Sequence, residues 1–186
     1  MKRKNIIALF LCISTILVIT AFITVANSFS LTETKTTIFD ASINSINEYT
    51  NNIIDPRIQS NVLTFNIPVN NLSTNESINF NLYNGGSYNA ILNKIDVSGL
   101  DNVIVGVSNT TGKTYYASDF ITYNIKDKDG DSLNTGDKLA IGENKSATIV
   151  ISYKDAAYLN EDEKSVINSS NSSINMKVIF DYQQDK

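Results

Sequence analysis

From about Thr36 to Tyr182 the apolar residues fall at every second position in short runs, and no long helical period appears. A strand turns successive side chains to opposite faces, so each run offers one face to a core and one to water. The runs are Phe39, Ala41, Ile43; Leu63, Phe65, Ile67, Val69; Ile78, Phe80, Leu82; Ala90, Leu92, then Ile95, Val97; Val103, Val105, Val107; Ile121, Tyr123, Ile125; Ala147, Ile149, Ile151, Tyr153; and Ile174, Met176, Val178, Phe180, Tyr182. They predict about eight strands, parted by turn-forming clusters such as Asn84-Gly85-Gly86-Ser87 and Asp127 to Asp131. The expected fold is all-β: a single antiparallel β-sandwich of immunoglobulin-like architecture over residues 37–186, with Phe65, Phe80, Ile149, Ile151 and Phe180 deep in its core. Asp155 to Asn168 reads equally as a short helix or a long loop.

Ahead of this body, Lys2, Arg3 and Lys4 directly precede a nearly unbroken apolar run from Ile6 to Val25. Cationic flanks stay on the cytoplasmic side during insertion, so the pattern predicts a hydrophobic export helix whose N-terminus is cytoplasmic before processing. Residues 1–28 are expected to be a signal peptide or a signal anchor, and residues 29–36 a linker. The length of the run favours an anchor; Ser14, Thr15, Thr20 and Thr24, with small residues around Ala26, favour cleavage. The body is therefore placed outside the cell or on the outer face of the plasma membrane, touching the membrane through residues 6–25 where the segment is retained.

Composition narrows the chemistry. The chain has no His and no Trp, and its single Cys, Cys12, lies inside the apolar run. The body thus has no imidazole or thiol for a His-based triad, a Cys nucleophile, a disulfide scaffold or a zinc cluster. Net charge is −4, and Arg57 is the only Arg beyond the amino terminus, which argues against nucleic acid as a partner.

The stretch Asn71 to Val97, a loop, an alternating strand, an Asn-Gly turn and a second strand, resembles the immunoglobulin-like sandwich domains of secreted bacterial surface proteins. So does Gly136 to Glu143 leading into Thr148-Ile-Val-Ile-Ser-Tyr153. One export signal ahead of one sandwich is similar to the camelysin and TasA-type biofilm-matrix proteins of Gram-positive bacteria. Those proteins place an aromatic-rich small-residue motif at the cleavage point, and Thr24 to Ser30 departs from it. The resemblance implies a non-enzymatic structural, adhesive or matrix role, with other surface proteins or further copies of the chain as partners. It also implies that, if the protein assembles, it does so by strand addition through residues 27–39; the competing reading is that this stretch only tethers the domain or begins its own first strand.

Four candidate sites can be weighed. Asp127, Asp129 and Asp131 put carboxylates at alternate positions, a spacing that can wrap calcium, although the Gly comes one place early and no Glu closes the loop. Gly106 to Thr114 resembles a phosphate-binding loop but has five residues between its glycines where four are required, so a hairpin turn is expected. Acid pairs for glycoside hydrolysis could come from Asp96, Asp101, Asp119, Asp137 or Glu143, but nothing selects a pair. Lys94 or Lys177 could in principle form an isopeptide bond with a neighbouring Asn, and ordinary exposed side chains are expected instead. No catalytic residue and no cofactor is expected. The competing reading is an extracellular ligand-binding module, calcium-dependent or carbohydrate-recognising. The latter would need Tyr88, Tyr115, Tyr116 and Tyr123 to form an exposed aromatic platform.

Overall fold

The computed structural model describes residues 39–70, 75–170 and 172–185. The expected signal segment and linker lie outside the described residues. The chain divides into Met1–Thr36 and Thr37–Lys186, and every described residue belongs to the second unit.

That unit is built mainly from antiparallel strands: β1 (Ala41–Tyr49), β2 (Ile54–Gln59), β3 (Val62–Pro68), β4 (Glu76–Asn84), β5 (Ala90–Ser98), β6 (Ile104–Val107), β7 (Thr114–Tyr116), β8 (Ile121–Asp127), β9 (Lys138–Leu139), β10 (Asn144–Tyr153) and β11 (Ser173–Gln184). One sheet has the order β1-β4-β10-β8 and the other β2-β3-β11-β5-β9, while β6 and β7 form a separate hairpin. The inward residues of both large sheets contribute to one apolar core. Phe65, Phe80, Ile149, Ile151 and Phe180 are all fully buried there, as the alternation requires. Burying an aromatic or branched side chain of this size is worth about 1.5–3 kcal/mol, so these positions dominate cohesion. Among the described residues no helix is long and apolar enough to cross a membrane.

The register accounts for a slip in the sequence pattern. The apolar period jumps from Leu92 to Ile95, and the pairing of β5 with β11 skips at the same place: Leu92 faces Tyr182 whereas Lys94 faces Asp181. Asn93 is the extra residue, and its amide donates to Asp181 Oδ2 at 2.8 Å. A bulge of this kind inverts the phase, so Ala90 and Leu92 on one side of it and Ile95 and Val97 on the other all turn to the core.

Three strands escape the alternation. β2 contains Pro56 and Asp55 at φ 49°, with a bulge between Ile54 and Arg57, features tolerated because β2 is an edge strand. β7 and β9 are too short to show a period. Some expected core positions are instead exposed: Phe39 lies ahead of β1, Val107 sits at the hairpin end of β6, and Tyr123 lies on the edge strand β8.

The ambiguous segment after Asp155 is a helix. A 3-10 turn spans Ala156–Tyr158, then α1 covers Glu161–Ser169. Asn160 Oδ1 accepts the Glu163 N–H and Glu163 Oε2 accepts the Asn160 N–H, a reciprocal cap that starts the helix. Val166 and Ile167 bury its inner face. Gly106 allows β6 to approach, because a Cβ there would come within 2.9 Å of Val166 Cγ1.

Candidate functional site

The acidic loop is a self-contained turn. Asp127 Oδ1 accepts the N–H groups of Asp129 and Asp131, and its Oδ2 lies 3.8 Å from Lys145 Nζ. The Asp127 N–H donates to the Asp131 carbonyl, closing the hairpin. The carboxylate best placed to hold calcium is therefore used within the loop, and Asp129 is exposed beside Lys128. Among the described residues no three His, Cys, Asp or Glu side chains converge as a metal site would need.

Gly106 to Thr114 forms the β6–β7 hairpin, with the Ser108 N–H bonded to the Lys113 carbonyl. Ser108 is buried; its hydroxyl accepts from the Thr110 and Thr111 N–H groups and donates to Asp162 Oδ1 at 2.6 Å. The hairpin is thus tied to α1. The acids considered for hydrolysis are dispersed. Asp96 pairs with Lys94, and Asp119, Asp137 and Glu143 each accept a backbone N–H three residues back, closing their own turns. Lys177 is exposed on β11, and Asp101 is exposed in the turn after β5.

The aromatic platform loses a member. Tyr115 is buried, its ring centroid 5.6 Å from that of Phe120, with Lys113 Nζ 4.3 Å from the Tyr115 centroid. Burial first, then the nearby carboxylates of Asp162 and Glu163, raise its phenol above the ordinary value. Tyr88, Tyr116 and Tyr123 are exposed but lie apart along the chain, in the β4–β5 loop, at the end of β7 and on β8.

Two features that the sequence did not announce stand out. The first is an open side where the two sheets end. β9 covers only Ala90 and Ile91 on the outer edge of β5, and Asp137 and Gly136 add backbone bonds to Leu92. Among the described residues, no strand pairs with that edge from Asn93 to Ser98. Among the described residues the outer edge of β8 is met only near its end, where Lys126 bridges Ser132 and the Leu133 N–H donates to the Ile125 carbonyl. Between these edges lies a groove of about 170 Å3 lined by Ile95, Val97, Tyr123, Asn124, Ile125 and Leu133. The opposite side is different: β1 is bulged twice and β2 carries Pro56, devices that discourage strand pairing.

The second feature is a polar cleft of about 550 Å3 where β1 turns toward β2 beside the start of β4. Glu76 ends the inward row of β4 and is almost fully buried, while Tyr49 is 48% exposed at the mouth. Alternation had flagged neither, because a carboxylate in a core-facing row has no apolar signature and Tyr49 gains its place only through the pairing of β1 with β4.

Compared with known proteins, the chain matches no family model, no curated protein and no solved structure.

Proposed function

We propose that the chain is a non-enzymatic, secreted or membrane-anchored cell-surface protein with a structural, adhesive or matrix role. In this reading its body is an immunoglobulin-like sandwich that associates through strand edges rather than through a reactive site. The observation that carries the proposal is the open side of the two sheets. Along Asn93–Ser98 of β5 and Ile121–Asn124 of β8 the outward backbone has no strand partner among the described residues, and these edges flank a groove, which is the geometry that accepts an added strand. The cationic and apolar amino terminus supports placement at the outer membrane face.

The donor in this reading is residues 27–39, a Thr-rich and Pro-free stretch with Phe29, Leu31, Ile38 and Phe39 as its apolar side chains. Of these residues only Phe39 is described, and it is exposed. The test compares a chain of residues 27–186 with one starting at Thr37, by light scattering and electron microscopy. Fibres or oligomers from the longer form alone support the proposal. Two equally monomeric proteins reject strand donation and leave a tethered surface domain.

A further inference from the structure

The cleft between the β1–β2 turn and the start of β4 is lined almost wholly by polar side chains. Its lining includes Glu48, Tyr49, Asn51, Asn52, Glu76 and Asn79, and none of the described residues that line it is Lys or Arg. At about 550 Å3 it has the capacity of an ordinary small-ligand site. Its floor is held in place by backbone and side-chain bonds. The Thr50 N–H donates to the Ser77 carbonyl at 3.1 Å, and the Ser77 N–H donates to Thr50 Oγ1 at 3.1 Å. Asn52 Nδ2 donates to Glu76 Oε1 at 2.7 Å, and Thr148 Oγ1 donates to Asn79 Oδ1 at 2.6 Å. A cleft fixed this way loses little conformational freedom on filling.

Its polar groups continue onto the outer face of the first sheet. Asn47 Nδ2 donates to Asn81 Oδ1 at 3.0 Å, and Ser146 Oγ donates to the same oxygen at 2.8 Å. Amides and hydroxyls are paired donors and acceptors, matching the alternating hydroxyls of a sugar. Glu48 adds a strong, exposed acceptor, and together with the negative charge of Glu76 it disfavours an anionic guest. Tyr49 supplies an exposed ring against which the apolar face of a sugar can lie.

We propose that this cleft binds one or two rings of a glycan that carries no acid group, with Tyr49 as the stacking surface and Glu48 as a hydroxyl acceptor. The site is independent of the open β5–β8 side, so it stands or falls separately from assembly by strand addition.

The test is calorimetric titration of the full-length chain, kept soluble in a zwitterionic detergent without a sugar head group. The probes are a neutral N-acetylglucosamine tetramer, a cationic glucosamine tetramer, an oligogalacturonate and calcium chloride. The two non-acidic tetramers are expected to saturate at roughly millimolar concentration or below, with the oligogalacturonate at least about tenfold weaker. Tyr49→Ala and Glu48→Gln, both at exposed positions, are each expected to weaken binding by about tenfold without changing the circular dichroism spectrum. The proposal is overturned if neither non-acidic tetramer binds, if oligogalacturonate binds equally well, or if folded Tyr49→Ala and Glu48→Gln both retain full affinity. It is also overturned if calcium alone binds there and the sugars do not.

Discussion

Phe80 of β4 and Phe180 of β11 meet across the interior, their ring centroids 5.3 Å apart and their planes inclined at 48°. They belong to different sheets, and both are fully buried. This tilted pair links the two layers directly. Replacing either residue by Ala is expected to cost about 3–5 kcal/mol, with a coupling of about 0.5–1.5 kcal/mol in the double mutant. Urea unfolding of the four proteins checks it; strictly additive losses would mean the rings do not interact.

This contact was legible in outline from the sequence because both residues sit in uninterrupted period-two runs. The slip at Asn93 was also visible, as the jump from Leu92 to Ile95, but its cause needed the partner strand. β2 stayed hidden because Pro56 and Arg57 carry no alternation, and only its position at a sheet edge makes such residues acceptable there. Glu76 and Tyr49 were missed for a different reason. Their significance comes from β1 and β4 being neighbours, a long-range relation that no local spacing encodes. Tyr115 failed as an exposed aromatic because α1 and Phe120 pack over the hairpin, and the contact with α1, through Asp162, is not local in sequence.

Gly99 closes β5 at φ +110°, where a Cβ would run into the Asn175 carbonyl oxygen on β11. Gly130 also has positive φ, +88°, but its surroundings are open. Gly130→Ala is expected to cost about 1–2 kcal/mol from backbone strain alone, and Gly99→Ala clearly more, because β5 and β11 must also separate. Thermal unfolding of both variants decides it; equal losses would contradict the close approach.

Tyr153 donates its hydroxyl to the Pro68 carbonyl at 3.0 Å. Burial first, and the Glu76 carboxylate second, raise its phenol well above the ordinary value of 10.0. Tyr182 is raised in the same direction, by burial and then by Asp137 and Glu143. A raised pKa in the fold means that the full contribution is present below about pH 10 and is lost as pH climbs above it, where the unfolded chain ionises first. Stability should therefore begin to fall as pH rises past about 10 and keep falling until the raised folded-state value is reached. Tyr153→Phe should be less stable at neutral pH by about 1 kcal/mol, through its lost hydrogen bond, and should show a shallower alkaline decline. An identical slope in urea midpoints against pH would show that Tyr153 does not titrate as described.

The open side between β5 and β8 is the centre of the proposed role, and amide hydrogen exchange reads it directly. In the monomer, the outward amides along Asn93–Ser98 and Ile121–Asn124 have no strand partner among the described residues and should exchange rapidly. In assemblies formed by the chain of residues 27–186, the same amides should slow by orders of magnitude, while those of β1 and β2 keep their monomer rates. Unchanged exchange along β5 and β8 in a demonstrably assembled sample, or new protection on β1 and β2 instead, would contradict assembly through this edge.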